Sequence, residues 1–599
     1  GLEGASQSSL AWGDFNNDGF LDLAVSGKNS DDERFTKVYR NDADGTFTDI
    51  EADLPGAIEN GLVWGDFNND GWLDLVIRFY YPNQTPKSGT AIFRNNTDGT
   101  FTDIAAGLPG TEDFSGGGLV AAGDFNNDGY LDVALLVKSS SSSADDAVRI
   151  FLNNGNGTFT DANVSFPVLW QASFGLGDFD NDGYLDIVMS GNNPSEGRLT
   201  RIYRNNGDST FTDMNAGLTG VSMGSFAVGD FNNDGLLDLA MSGTTTYQSS
   251  GTALYIYKNN GEGVFTLYAY TECGDKVGSL SWGDFDNDGR LDLEVAQYIF
   301  RNQENGLFVD IGCDLPIQDV DDYAFVWGDF NQDGRLDLAM SGLVFMDFGL
   351  TRLTRIYRNV SNISANTLPS APCSLTTSSL SNNVTLSWQK SMDGQTPSEG
   401  LSYNIYIGTA PGSVDRVSPM SDLGSGFRRV AQIGPQRGNV LPDTTSCLVK
   451  DLVPGTLYYW GVQAVDTSFA GSTFTIGEPF TIPPVTYHIY TDISDNYGEL
   501  IPGATLDVNI NGSVTTVDVS QWPAHTFIVN AGDNVTLTPH AYWYLFGPPE
   551  MTYTNIQENK IQNFVGIAMT PSQYIALDSG WNIMAFSIMP ANANMASIL

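Results

Sequence analysis

The stretch Gly13-Asp14-Phe15-Asn16-Asn17-Asp18-Gly19-Phe20-Leu21-Asp22 puts oxygen-bearing side chains at loop positions 1, 3, 5 and 9: Asp14, Asn16, Asp18 and Asp22. Gly19 at position 6 allows a sharp turn that aims the carbonyl of Phe20, at position 7, toward the same point. Oxygens converging from side chains and backbone form a hard-cation cage, and calcium suits it best. Magnesium demands a small octahedron and keeps its waters, while zinc prefers the histidine and cysteine that these loops lack. An Asx-turn without an ion is the competing explanation, but turn chemistry alone needs fewer acids.

The loop returns six times, each copy with Gly before its first Asp and Phe after it. The expected oxygen sets are Asp66, Asn68, Asp70, the Trp72 carbonyl and Asp74; then Asp124, Asn126, Asp128, the Tyr130 carbonyl and Asp132. They continue with Asp178, Asp180, Asp182, the Tyr184 carbonyl and Asp186, and with Asp230, Asn232, Asp234, the Leu236 carbonyl and Asp238. The last two are Asp284, Asp286, Asp288, the Arg290 carbonyl and Asp292, and Asp329, Asn331, Asp333, the Arg335 carbonyl and Asp337. One calcium per copy makes about seven ions. An EF-hand would carry Glu at position 12, where the first copy has Val25 inside an apolar strand pattern. At position 7 only the carbonyl faces the ion. The side chains of Phe20, Trp72, Tyr130, Tyr184, Leu236, Arg290 and Arg335 are therefore available to stack on sugars, to anchor a partner or to cover the loop.

Strands must position these loops. Each repeat reads as an apolar strand, the loop, a second strand such as 20–26 with its alternation Leu21, Leu23, Val25, a variable linker, and two further strands. The third and fourth recur as Ile92-Phe93-Arg94-Asn95 with Gly99-Thr100-Phe101-Thr102-Asp103, and as Ile202-Tyr203-Arg204-Asn205 with Thr210-Phe211-Thr212-Asp213. The loops are spaced by 52, 58, 54, 52, 54 and 45 residues. Four short strands in a repeat of about 50 residues point to a propeller blade, with a solenoid as the main competitor. The seventh copy has Ile356-Tyr357-Arg358-Asn359 but no following G-T-F-T-D, while Leu2 and Gly4 align with Leu54 and Gly56. The expectation is that the strand completing the seventh repeat lies upstream of Gly1.

These repeats resemble the FG-GAP/VCBS family of calcium-binding propeller repeats, related to the propeller of integrin α subunits. The resemblance covers residues 1–360 and implies a seven-bladed propeller with calcium loops between the first two strands of each blade. Residues 368–482, with Val384-Thr385-Leu386-Ser387-Trp388, Tyr403-Asn404-Ile405-Tyr406-Ile407 and Leu452 to Tyr458, resemble a fibronectin type III sandwich with Trp388 in its core and a tyrosine corner. Residues 483–569, with Gly503-Ala504-Thr505-Leu506 and Thr526-Phe527-Ile528-Val529, resemble a carboxypeptidase-regulatory-like, prealbumin-type sandwich. Residues 570–599 read as the start of a further module. The expected fold is all-β: a seven-bladed β-propeller followed by two β-sandwich domains.

Composition fits. The chain has 599 residues, 65 of them Gly, with 12% aromatic and 16% charged residues, as strands and tight turns require. Its 71 acidic and 27 basic residues give a net charge of -44, which argues against nucleic acid and anionic membranes as partners. The loops hold 23 Asp ligands, so seven calcium ions would bring the net charge to about -30. No apolar run of 18 residues spans a membrane here.

Cys273 with Cys313, and Cys373 with Cys447 on strands expected to be neighbours, are each open to a disulfide or to two thiols. His488, His525 and His540 lack partners at ligand spacing, and no nucleophile elbow, HExxH motif or phosphate loop is present. The reading is an extracellular, secreted or cell-surface, non-enzymatic adhesion or ligand-binding protein. Its propeller binds a protein or glycan while the sandwiches act as spacers. The alternative is a carbohydrate-active enzyme of the polysaccharide-lyase kind, or its binding subunit. A lyase needs a base and clustered cations beside its substrate carboxylate.

Overall fold

The computed structural model describes residues 1–80, 88–110, 119–137, 147–245, 252–274, 279–296, 298–313, 323–346, 349–432, 444–484, 486–521, 524–530, 532–568, 574–577 and 581–584. Regular structure in them is all strand, and no helix is long and apolar enough to cross a membrane. Two compact units emerge, Gly1–Thr481 and Ile482–Leu599.

In the first unit each repeat builds one antiparallel sheet. Repeat one runs Ser6–Gly13, Asp22–Lys28, Arg34–Asn41 and Phe47–Asp49, in that spatial order. Five more repeats follow the same order with four strands, while the seventh has three: Ala324–Gly328, Asp337–Met346 and Gly349–Tyr357. Residues 361–367 form no strand.

The alternation read along the second strand understates its burial, because the sheets stack face to face. Leu23 and Val25 pack with Leu10, Trp12 and, from repeat seven, Ala324 and Ala339. Ala24, on the opposite face, packs with Leu62, Trp64 and Leu75 of repeat two. Both faces are covered, so the second strand is a continuous apolar run rather than a half-buried one. Similar clusters join repeats two and three, three and four, four and five, five and six, and six and seven. Each buried Leu or Val contributes roughly 1.5–3 kcal/mol.

One polar contact repeats at every junction. The Asn at the end of the third strand, buried in all but the seventh repeat, donates its side-chain amide to the Phe carbonyl of the preceding repeat's loop. Asn95 reaches Phe15 at 2.7 Å, Asn153 reaches Phe67 at 2.8 Å and Asn205 reaches Phe125 at 2.8 Å. Asn259, Asn302 and Asn359 do the same to Phe179, Phe231 and Phe285, and Asn41 reaches Phe330 of repeat seven at 2.8 Å. In six of the seven a second bond from the amide goes to the residue before the loop's last Asp in the same repeat, as from Asn95 to the Leu73 carbonyl at 3.1 Å.

The remainder of unit one is a two-sheet sandwich. Cys373–Leu380, Asn383–Gln389 and Thr444–Val449 form one sheet; Ser402–Gly408, Leu457–Val465, Thr475–Ile476 and Phe480–Thr481 form the other. Trp388 is fully buried against Tyr403, and the Tyr458 hydroxyl accepts a bond from the Val453 amide at 2.9 Å. Cys373 and Cys447 are free thiols, and the expectation that their strands are neighbours is corrected. Asn383–Gln389 lies between them, and a two-strand gap of about 10 Å exceeds what a disulfide spans. Cys313 is half-buried, and the side chain of Cys273, its expected partner, lies outside the described residues.

Unit two is a sandwich of two four-stranded sheets sharing a core of Ile489, Leu506, Val529, Leu537 and Phe564. Most of 570–599, read as a further module, lies outside the described residues; 574–577 pairs with 581–584.

Replacing Asn95 by Ala strips two buried carbonyls of their donor and should cost about 2–4 kcal/mol. Asn96→Ala, on a half-buried side chain that bonds only the nearby Thr100 and Thr102 hydroxyls, should cost less than about 1 kcal/mol. Denaturant midpoints of the two variants check this, and equal midpoints would contradict it.

Candidate metal loops and the sandwich docked on them

Each loop is the hairpin between a repeat's first and second strands. The Gly before the loop pairs with its last Asp, as Gly13 does with Asp22 and Gly65 with Asp74. The position-1 carboxylate is tied to the turn by two backbone amides. Asp14 accepts from Asp18 at 3.1 Å and Gly19 at 3.0 Å, and Asp66, Asp124, Asp178, Asp230, Asp284 and Asp329 repeat the pattern. The position-6 glycines stand at φ between 75° and 91°, the left-handed region that any Cβ would strain.

The position-9 carboxylate is a structural hub as well as a candidate ligand. Asp22 accepts the Phe15 amide at 3.2 Å and the Asn41 amide at 2.7 Å, and Asp74, Asp132, Asp186, Asp238 and Asp292 take the matching pairs. A carboxylate has about four lone-pair sites, so these oxygens keep room for a cation.

Position 4, to which the sequence reading assigned no role, links one loop to the next. Asn17, Asn69, Asn127, Asn181, Asn233, Asn287 and Gln332 all have φ of 55–59°. Asn17 donates to the Gly71 carbonyl at 3.2 Å, Asn69 to Gly129 at 3.0 Å, Asn127 to Gly183 at 2.8 Å and Asn181 to Gly235 at 2.9 Å. Asn233 continues to Gly289, Asn287 to Gly334, and Gln332 of the seventh loop to Gly19 of the first. The signal was present in the sequence, since an amide side chain recurs at this position in all seven copies.

The donor set is hard oxygen throughout. Asp178, Asp180 and Asp186 offer carboxylate oxygens within 4.8 Å of one another, as do Asp284, Asp286 and Asp292. The other loops carry Asn at position 3. There Asn232 and Asn331 turn their amide nitrogens toward Asp238 and Asp337, leaving their own buried oxygens without a partner. Oδ1 of Asp286 is likewise buried and unpartnered. Basic side chains from the third strand, also missed in the sequence reading, reach positions 3 and 5: Arg204 bonds Asp180 and Asp182, Arg301 bonds Asp286 and Asp288, and Arg358 bonds Asp333.

Burial raises the carboxyl pKa values from their ordinary 3.8. Asp14, Asp66 and Asp329 are pushed to about 6, Asp124, Asp178, Asp284 and Asp337 to about 7, and Asp22, Asp74, Asp186 and Asp238 to about 8. Neighbouring carboxylates in the same loop add to the rise, and the backbone amides oppose it.

The spacer role expected of the first sandwich is corrected: it sits on the loops. The Asp14 amide donates to the Arg429 carbonyl at 2.8 Å, the Asn69 side chain to the Arg416 carbonyl at 2.9 Å, and the Lys450 amide to the Asn127 carbonyl at 2.6 Å. The position-7 rings of Tyr130 and Tyr184 are engaged, with the Arg416 guanidinium 5.0 Å from one ring centroid and the Lys450 ammonium 4.3 Å from the other. Arg335 donates to the Ile363 carbonyl, and Arg290 pairs with Asp288. Contact between loops and sandwich was illegible because most of it passes through backbone carbonyls, which carry no residue signature. A cavity of about 460 Å³ lies between first strands and sandwich, lined by Ala122, Val228, Trp282, Ile405, Met420 and Arg428.

Comparison with known proteins places FG-GAP-like repeats at residues 14–77, 81–135, 137–189, 178–241 and 244–295, and a fibronectin type III domain at 370–476. The loop at Asp329 lies beyond those repeat matches yet has the same local geometry. Cartilage acidic protein 1 of Xenopus tropicalis is 32% identical over 164 residues, spanning 25% of this chain and 24% of the relative. The human protein of that name is 30% identical over 167 residues with the same shares. This chain thus spans about a quarter of the length of those relatives. The FN1–FN3 domains of chicken CNTN1 align at 11% identity over 49% of this chain and 97% of that one, with a TM-score of 0.15, which carries no argument.

In chelator, the folded chain holds protons on these carboxyls that the unfolded chain releases above its ordinary pKa of 3.8. That contribution is complete at low pH and is lost as pH rises through about 8. The ion-free chain should therefore melt at a lower temperature at about pH 8.5 than at about pH 5.5. A flat or rising melting curve over that window would count against the assignment.

Proposed function

We propose that the repeats close into a seven-bladed β-propeller with one calcium ion per loop, and that the chain is an extracellular, non-enzymatic adhesion or ligand-binding protein. The observation that carries this reading is the loop-to-loop amide series, which returns from Gln332 to Gly19. Packing of repeat seven against repeat one supports the same closure. Calcium is supported by the oxygen-only donor set, by the buried unpartnered oxygens of Asp286, Asn232 and Asn331, and by the fit of the Asp–Asn–Asp spacing to a large, flexible oxygen shell.

In loop one the ion would be held by Asp14, Asn16, Asp18, the Phe20 carbonyl and Asp22, and in the others by the matching residues. It would supply charge neutralisation and a fixed curl. An Asn whose nitrogen points at a carboxylate would turn its oxygen inward, a rotation that barely changes its shape.

The name of the matched relatives, cartilage acidic protein 1, supports an extracellular setting for so acidic a chain. The non-enzymatic reading is supported by the FG-GAP-like and fibronectin type III matches together with those relatives. Ligand recognition then falls to surfaces the docked sandwich leaves open, with an extracellular glycan or matrix protein as the partner.

Native mass spectrometry in calcium should count about seven bound ions, and Asp74→Ala should remove one. Each site at a hundredfold excess over its Kd adds about 2.7 kcal/mol, so chelator should lower Tm markedly. A chain that binds no ion at millimolar calcium would refute the reading. With ions loaded, a glycan and matrix-protein array identifies the partner.

A further inference from the structure

Two segments of the sandwich grip loop six, as Ser418 touches Asp66 in loop two. The position-1 carboxylate of loop six, Asp284, is fully buried and accepts the Thr467 hydroxyl of the sandwich at 2.8 Å. The neighbouring Ser468 hydroxyl donates to Asn287 Oδ1 at 3.0 Å, and the Asp284 amide points at the Thr467 carbonyl at 3.4 Å. A second sandwich segment closes from the other side, where the Gln395 carbonyl leaves no room for a side chain at Gly289. Thr467 in turn meets Thr396 at 2.9 Å, so the two segments brace each other over the loop.

The same loop crowds carboxylates. Asp284, Asp286 and Asp292 lie within 4.8 Å of one another, and the Asp286 side chain is only 8% exposed with Oδ1 unpartnered. Three like charges at that spacing repel unless a cation or protons sit among them. Arg301 pairs with Oδ2 of Asp286, and Oδ1 is buried without a partner.

We propose that loop six is a cation-dependent latch: a divalent cation bound by Asp284, Asp286 and Asp292 holds the fibronectin-type sandwich onto the repeats through Thr467 and Ser468. The proposal rests on the calcium reading above and adds a consequence that reading does not contain. With the cation, the loop keeps the curl that presents Asp284 and Asn287 to the two hydroxyls. Without it, the carboxyls lose the shared partner that fixes the curl, and both acceptors shift away from their donors. Coupling of this kind is reciprocal, so the docked sandwich also raises the affinity of loop six for its ion.

The test uses the intact chain, with calcium as the probe. Hydrogen exchange is followed at the 466–470 turn, whose Phe469 and Ala470 amides bond Asp466, and ions are counted by native mass spectrometry. Asp286→Ala should cost one ion and raise exchange of that turn about tenfold, leaving the strand pair Ser402–Gly408 and Leu457–Val465 protected as a control for folding. Asn331→Ala, in loop seven, should leave the turn unchanged. Thr467→Val with Ser468→Ala should keep every ion at saturation but weaken one site about tenfold. Loss of the ion with unchanged exchange at 466–470, or an undocked turn with unchanged calcium affinity, would overturn the latch while leaving calcium binding intact. A wild-type chain that takes up no ion overturns both, and the ion count tells the two failures apart.

Discussion

The structure depends on amides that cross from one repeat to the next. Every sheet is a short, twisted stack with apolar faces, and apolar contact alone lets neighbouring sheets slide or rotate. Two directional bonds per junction remove that freedom. One runs from the Asn ending the third strand to the preceding loop's Phe carbonyl, and the other from the position-4 amide to the following loop's Gly carbonyl. Because the loop receives both, its backbone must be held still, and this explains why its carboxylates are spent partly on backbone amides. Asp14 and Asp22 each hold two amides before any ion is considered. The acids therefore serve the fold and the candidate cation site together.

That double use bears on how much could be read in advance. The loops were legible because their demands are local: oxygen types at fixed spacing, and Gly where φ is positive. The strands around them were legible for the same reason, although the alternation of Leu21, Leu23 and Val25 concealed the equal burial of Ala24. Asn95 was visible as a recurring residue, but its partner lies 80 positions away, beyond the reach of any local pattern. The docking of the sandwich was invisible, since Arg416, Arg429 and Thr467 contribute carbonyl oxygens that every residue possesses. The separation of Cys373 from Cys447 failed as an expectation because strand order within a sheet is set by packing.

The sandwich changes which surfaces the repeats can offer. At position 7, the rings of Tyr130 and Tyr184 lie against Gly155 and Gly207 of their own repeats and carry cations donated by the same chain. Both contacts pair an aromatic face with a base, an arrangement worth about 0.5–2 kcal/mol each. In a chain with only 27 basic residues, placing Arg416 and Lys450 over the acidic loops also offsets local repulsion.

The missing outer strand of the seventh sheet has a mechanical meaning. Six sheets carry a Phe-led fourth strand at their outer edge, three residues long in five of them, whereas Gly349–Tyr357 ends its sheet with one backbone edge unshared among the described residues. The seam between that sheet and the first is sewn from the inside instead. Trp12 bonds the Val326 carbonyl at 3.2 Å, Ser8 bonds the Ser341 carbonyl at 3.2 Å, and Arg352 bonds the Ser6 hydroxyl at 2.7 Å. Force applied at the outer edges of the sheets would thus find its least resistance at this one.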